Sequence, residues 1–354
     1  LISGKHHPPT LKSNLPKLYQ NAIAIMEAIE GRISMKQLRV AFIGAGGIAA
    51  RHIQALQEIN EVEIAAIYNP SPEKAQALAA KCSPATKAYQ NYAKMLDKEI
   101  LDALYICTPP FGHGELELAA IERNIPLFVE KPLSADAETA EKIFEAIQAK
   151  GLITAVGYQW RYLNTTELVQ SLLATNPPRM ALGYWLDALP SPYWWKVENL
   201  SGGQMVEQTT HIFDLARLLV GEIKRVYALG GRFSADQAEV DRVTTATVEF
   251  ANGAIGTFSS TSLLHGLYRR GLEFFCEGRT IALAYQEVTI DEGPGQQRVE
   301  KVTVDPFVLE NRDFLEALRG GENRIRCDYA EALKTHRVTQ AARRSALEKR
   351  PVDL

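Results

Sequence analysis

Glu207, His211 and Asp214 follow one another at intervals of four and three residues inside Gly202-Gly203-Gln204-Met205-Val206-Glu207-Gln208-Thr209-Thr210-His211-Ile212-Phe213-Asp214-Leu215. On one helix these three share a face. Met205, Val206, Ile212, Phe213, Leu215, Leu218 and Leu219 cover most of the remaining surface. Solvent is the ordinary explanation for such a polar stripe. The competing reading is catalytic: a carboxylate one turn away on each side would fix the imidazole tautomer, raise its pKa and equip His211 as a general acid or base.

A second group is Glu130-Lys131-Pro132, which closes the apolar run Leu127-Phe128-Val129. It sets a charged pair at the end of a buried strand, and the proline makes the Lys131-Pro132 bond a candidate for the cis form, which would aim the lysine in a fixed direction. The alternative is a surface ion pair between Glu130 and Lys131, worth little.

The third group is a glycine turn, Gly44-Ala45-Gly46-Gly47-Ile48-Ala49, between the apolar run 40–43 and a helix-like pattern that resumes at Ile48. Gly44 permits the tight turn, Gly46 lets the backbone approach a pyrophosphate, and Ala49 takes the third small position. The unpaired N-H groups at the helix start, with Gly47 and Ile48, would face the phosphates. This is a dinucleotide-binding pattern, and a merely structural turn is its rival.

About twenty residues on, where an acidic residue usually meets the ribose hydroxyls, the sequence has Asn69. An amide still bonds a hydroxyl but does not repel a 2'-phosphate. Ser71 reads as a helix N-cap with Pro72 behind it, and Lys74 follows in the first turn. These residues lean the cofactor toward NADP, with NAD open; a plain capped helix explains them equally. Thr108, Pro109 and His113 follow another apolar run, at the carboxyl edge where ligands of such sheets bind. His113 either reaches cofactor or substrate or simply starts the next helix. Tyr184, Trp185, Tyr193, Trp194 and Trp195 form an aromatic stretch with prolines, read as a loop. It either lines a pocket, with Trp194 against substrate, or packs beneath the loop.

The elements that must position these groups alternate regularly from Lys36. Strands are expected at 39–43, 62–68, 102–107, 126–130 and 152–157, and helices at 48–58, 72–81, 90–97, 113–123 and 136–149. That alternation predicts an α/β fold with a doubly wound parallel sheet over 35–156. Beyond 157 the texture becomes α+β: helices at 165–174 and 204–220, strands at 224–232, 243–250, 254–262, 271–276, 280–284, 287–291 and 298–304, then helices at 307–319 and 328–346. Turns such as Ala251-Asn252-Gly253 point to a large, mostly antiparallel sheet in this second domain, 157–354. Residues 1–34 stand apart as an N-terminal extension, either a docked helix or a leader ahead of Met35.

A chain of 354 residues with a net charge of -3 spread along its length has no basic footprint for nucleic acid. No apolar run approaches the roughly 20 residues of a membrane span. Cys82, Cys107, Cys276 and Cys327 lie far apart, which suggests neither a metal cluster nor a disulfide framework. A cytoplasmic location is expected.

Taken in order, the glycine turn, Thr108-Pro109, Glu130-Lys131-Pro132, Gly157-Tyr158-Gln159-Trp160-Arg161 and Glu207-x-x-x-His211-x-x-Asp214 make the sequence resemble the Gfo/Idh/MocA oxidoreductases from about Met35 to the C-terminus. The resemblance implies a Rossmann domain followed by a C-terminal α/β domain on an open sheet, commonly assembled as homodimers or homotetramers. It implies oxidation or reduction of small-molecule sugars, polyols or related carbonyl compounds with NAD or NADP. By the same route Lys131 is the expected catalytic lysine and His211 the general acid/base, with Glu207 orienting His211 where many members carry aspartate. Lys131, Glu207 and His211 would also bind substrate. Gln159 and Arg161 would open onto cofactor and substrate, and Glu130 would contact the cofactor. Two further readings belong to the resemblance: an NAD-dependent glycosidase and a non-catalytic dinucleotide-sensing regulator.

Overall fold

The computed structural model describes residues 37–233 and 238–354; the reading of 1–34 as helix or leader falls outside the described residues. The first half alternates as β1 (Leu38–Ile43), α1 (Gly47–Gln57), β2 (Val62–Tyr68), α2 (Pro72–Ala79), β3 (Lys87–Tyr89), α3 (Tyr92–Lys98), β4 (Ala103–Ile106), α4 (Glu115–Glu122), β5 (Leu127–Val129), α5 (Ala137–Lys150) and β6 (Thr154–Val156). Its six strands are parallel, in the order β3-β2-β1-β4-β5-β6. The order reverses between β1 and β4, so the carboxyl ends of these two strands flank the crevice where ligands of doubly wound sheets bind. Helices cover both faces, which is why β1, β4 and β5 are apolar runs rather than alternating ones.

The second half continues with α6 (Asn164–Thr175), β7 (Met180–Ala188), α7 (Glu198–Ser201), α8 (Gln204–Glu207), α9 (Thr210–Leu219), β8 (Ile223–Gly231), β9 (Val243–Phe250), β10 (Ile255–Leu264), β11 (Arg269–Cys276), β12 (Arg279–Ala284), β13 (Glu287–Asp291), β14 (Gln297–Lys301), α10 (Pro306–Leu318), α11 (Tyr329–Glu348) and β15 (Val352–Asp353). Nine strands form one sheet in the order β14-β13-β12-β11-β7-β10-β9-β8-β15, antiparallel except for the β7–β10 pair. Ile212 and Phe213 of α9, with Ala181, Trp185, Phe258, Leu272 and Phe274 of the sheet, belong to its main core.

Two expectations need correction. Residues 184–188, read as part of an aromatic loop, are the end of β7, at the middle of the second sheet, where Ala181, Gly183 and Trp185 alternate inward. The helix expected over 204–220 is two helices. Thr209 breaks it: its N-H and its hydroxyl both bond the Gln204 carbonyl, at 3.0 and 3.1 Å, and its hydroxyl meets Ser260 at 2.6 Å. A side chain that captures a backbone carbonyl in this way competes with continued helix.

The last two long helices return to the first sheet. Phe314 and Leu315 of α10 join Phe42, Tyr105 and Phe128 in one cluster, and Tyr329, Ala332 and Leu333 of α11 join Ile106, Val129 and Ile143 in another. Val156 donates its backbone N-H to Cys327 O at 2.9 Å. The parallel sheet is therefore closed over by residues from the other end of the chain.

Candidate active site

At the end of β1 the chain turns at Gly44, whose φ of +103° favours glycine. A Cβ there would stand 2.2 Å from the Cys107 carbonyl oxygen. At Gly46 and Gly47, in contrast, a Cβ would meet nothing within 4 Å. These two glycines border open space at the start of α1, a helix with no acidic residue in its first turn. A cradle of free N-H groups with no competing carboxylate fits the pyrophosphate of a dinucleotide.

That space is a cavity of about 940 Å³. Gly44, Gly46, Gly47, Ile48, Asn69, Ser71 and Lys74 line it, as do Thr108, Pro109, Glu130, Lys131, Gln159, Trp194 and Glu207. His113, Arg161 and His211 are not among its lining residues. All three were expected at the site; His113 and Arg161 are held away by the same cause, capture by a closer partner. The Nδ1 of His113 meets Glu117 at 2.6 Å, and the same carboxylate accepts from Gly114 N at 2.7 Å to cap α4. The guanidinium of Arg161 is 2% exposed, and all three of its nitrogens donate: Nε and Nη2 to Asp214 at 2.8 and 2.7 Å, Nη1 to Arg326 O, and Nη2 also to Glu331 at 3.2 Å. Both residues hold the frame of the site; neither faces the cavity.

At the cofactor's expected ribose end, Asn69 is fixed by two hydrogen bonds. Its Oδ1 accepts from Ala45 N at 3.2 Å and its Nδ2 donates to Ser71 O at 3.2 Å. The Ser71 hydroxyl makes no capping bond to α2; it donates to Glu73 at 2.9 Å. Its own backbone N-H in the first turn of α2, and then the Ser71 hydroxyl, hold the Glu73 carboxyl below the usual range. An anion therefore already occupies the helix end, a feature that the sequence reading did not weigh.

At the other end, the Lys131-Pro132 peptide is cis. The Lys131 ammonium donates to the Glu207 carboxylate at 3.1 Å and to the Glu207 carbonyl at 3.0 Å. Glu130 does not pair with that ammonium. Its carboxylate accepts from Lys131 N at 3.1 Å and meets His52 Nε2 at 2.8 Å, with His52 Nδ1 2.9 Å from Asn311 Nδ2. With Asn311 donating to Nδ1, the His52 ring proton on Nε2 faces Glu130. Beside it Glu310, 1% exposed, has no hydrogen-bond partner for either oxygen among the described residues, and burial pushes its carboxyl well above the usual range. His52, Glu130, Glu310 and Asn311 come from three separate elements, and no spacing in the sequence announces them.

His211 sits at the start of α9, 4% exposed, with its ring stacked on Trp185 at 5.5 Å and 15° and edge-on to Tyr158 at 5.9 Å. Because Glu207 is on α8 and turned to Lys131, and Asp214 is bound to Arg161, neither carboxylate bonds the imidazole. The expected rise in pKa is reversed: burial first, then the Lys131 and Arg270 charges, hold it well below its ordinary value. His211 is a neutral base at pH 7 with no partner on Nδ1 among the described residues. The stack also reveals Trp185, Arg270 and Tyr285 as site residues, carried by strands or strand ends that the sequence reading did not connect to His211.

A family described as "Oxidoreductase family, NAD-binding Rossmann fold" matches residues 38–158, and the GFO/IDH/MocA C-terminal domain matches 178–282. The chain belongs to the Gfo/Idh/MocA oxidoreductase family. It is 25% identical to myo-inositol 2-dehydrogenase of Thermotoga maritima, over 80% of this chain and 89% of that one. Two solved structures share the fold. Levoglucosan dehydrogenase in complex with NADH and levoglucosan has a TM-score of 0.81 at 20% identity, covering 90% of this chain and 99% of that one. The WlbA dehydrogenase of Bordetella pertussis in complex with NADH and UDP-GlcNAcA has a TM-score of 0.79 at 21% identity, covering 91% and 99%. This Gfo/Idh/MocA member is thus a dehydrogenase with an NAD-binding Rossmann fold. Among the described residues no helix is long and apolar enough to cross a membrane.

Proposed function

We propose that this enzyme interconverts a secondary alcohol and a carbonyl on a sugar or polyol, and that Lys131 and His211 carry the proton chemistry. The observation that carries the reading is the Lys131 ammonium, fixed by Glu207 at 3.1 Å on the cavity that begins at the glycine cradle. Gly44, Gly46, Gly47 and the α1 N-terminus would hold the pyrophosphate, and the bound nicotinamide would supply or accept the hydride. In the oxidation direction the neutral His211 accepts the hydroxyl proton, and Lys131 stabilises the negative charge that develops on the oxygen. Glu207 keeps the ammonium in place; it positions the lysine rather than the imidazole.

For the cofactor, Glu73 favours NAD. A 2'-phosphate at Ser71 would meet its carboxylate, whereas ribose hydroxyls could donate to it; Lys74 on the cavity keeps NADP as the second reading. Calorimetric titration of cofactor-stripped protein with NAD and NADP tests this, with NAD expected to bind more tightly and Glu73→Gln expected to narrow the gap by roughly tenfold. Tighter NADP binding by the wild type would reverse the assignment. Turnover of a panel of sugars and polyols tests the reaction, and unchanged rates in Lys131→Met would refute the role of the lysine.

Homodimers or homotetramers are part of the same reading, supported by Tyr227, Leu229 and Ile255 standing exposed on the second sheet. Light scattering decides it. The four free cysteines, two of them buried, support a reducing, cytoplasmic setting.

A further inference from the structure

Arg270 on β11 is directly opposite Trp185 on β7, so the two side chains leave the sheet on one face. Its guanidinium lies 5.2 Å from the Trp185 ring centroid and 5.1 Å from that of Tyr285. Trp185 is the ring against which His211 stacks. The proton acceptor of the proposed reaction and this guanidinium therefore lie against the same indole.

The charges around this point do not balance. Lys131 is matched by Glu207. Arg161 is matched by Asp214, and Arg269, the neighbour on the opposite face of β11, is taken by Glu273. Arg270 is half-buried and makes no side-chain hydrogen bond or ion pair among the described residues. Asp187, whose charge acts on it, accepts from Ala188 N at 2.7 Å and forms no ion pair with it. Two aromatic faces offset part of the desolvation of a guanidinium, but they leave its planar set of N-H donors without acceptors. Such a fork matches a carboxylate in two parallel hydrogen bonds. One uncompensated cation calls for a monoanion rather than a dianionic phosphate.

We propose that Arg270 is a specificity-determining residue and that the substrate is an acid: a sugar or polyol bearing a carboxylate that Arg270 binds while a hydroxyl is presented to His211. This rests on the reading of His211 as proton acceptor, and it adds a substrate class to that reading.

The test compares D-glucuronate with D-glucose and D-gluconate with D-sorbitol, with both NAD and NADP, in wild type, Arg270→Met and Arg270→Lys proteins matched for circular dichroism. The expected result is a wild-type kcat/KM for the acids at least about tenfold above that for their neutral counterparts. Arg270→Met should erase that preference, lowering kcat/KM for the acids at least about tenfold more than for their neutral counterparts, and Arg270→Lys should restore part of it. A wild-type preference for the neutral member of each pair, or equal losses on acids and neutral compounds in Arg270→Met, would overturn the proposal while leaving the dehydrogenase reading intact. If no compound turns over, quenching of tryptophan fluorescence by D-glucuronate separates the two claims. Saturable quenching that Arg270→Met abolishes supports the acid site and counts against the hydride reading for these compounds; absence of quenching overturns the acid site.

Discussion

Asp214 accepts two hydrogen bonds from the Arg161 guanidinium, at 2.8 and 2.7 Å, and one from the Thr335 hydroxyl at 2.9 Å. Both partners of the ion pair are almost wholly buried, at 2% and 1% exposure. Removing one charge from such a pair leaves the other stranded in a low-dielectric interior. Asp214→Asn should therefore cost about 3–5 kcal/mol of stability by denaturant unfolding, with the pH dependence of turnover in the surviving folded fraction unchanged. A variant of normal stability with an altered pH profile would instead tie Asp214 to His211.

Among the described residues Glu207 reaches Lys131 and no other cation. Glu207→Gln keeps a hydrogen-bond acceptor but loses the charge, so Lys131 is held less firmly. A kcat reduced about tenfold with fold and cofactor affinity retained is expected, against a hundredfold or greater loss for Lys131→Met. Steady-state kinetics on the two variants measure the difference, and a Glu207→Gln enzyme as fast as wild type would remove the carboxylate from the mechanism.

Burial, Lys131 and Arg270 hold the His211 imidazole well below an ordinary pKa of 6.5. A base with a depressed pKa stays unprotonated as pH falls through 6.5. The kcat/KM for alcohol oxidation should accordingly remain level down through that value and fall only at lower pH, where the imidazole finally charges. Loss of half the activity at or above pH 6.5, with inflection at that point assigned to His211 by its absence in His211→Asn, would show an imidazole that is not desolvated.

Glu310 is neutral in the folded protein because its raised pKa keeps the proton that the unfolded chain releases above about 4.5. Its contribution to stability is thus complete below that pH and diminishes as pH rises toward the folded pKa. Glu310→Gln removes the titration while keeping the shape. Its stability relative to wild type should climb by about 1.4 kcal/mol for each pH unit across that interval. Urea unfolding at pH 5 and pH 8 gives the comparison; a difference independent of pH would mean that Glu310 is not held neutral.

The parts of this molecule that could be read from sequence are those whose cause is local. The turn at Gly44, the apolar strands and the proline after Lys131 each depend on a few adjacent residues, and they stand where expected. Strand β7 escaped because Met180-Ala181-Leu182-Gly183 alternates without large inward side chains, and its aromatic end runs on into a proline-rich loop. The polar stripe of Glu207, His211 and Asp214 was legible as chemistry but not as geometry. Its interpretation assumed an unbroken helix, and the break falls at Thr209, which bonds the Gln204 carbonyl and meets Ser260, 51 positions away. Likewise Glu73 was visible beside Ser71, but only the side-chain contact shows that it takes the hydroxyl. Arg270 and Trp185 became neighbours only when β11 paired with β7.

The return of α10 and α11 onto the parallel sheet bears on how the protein is made. Strands β1 to β6 leave the ribosome first, yet Phe314 and Leu315 on one face and Tyr329, Ala332 and Leu333 on the other are supplied some 150 residues after β6 has appeared. At synthesis rates of about 5–20 residues per second, the dinucleotide-binding half waits roughly ten to thirty seconds with Ile106, Phe128 and Val129 short of their final cover. Chaperones that shield apolar surface on a nascent chain would therefore find their longest opportunity in the half of the enzyme that is translated first.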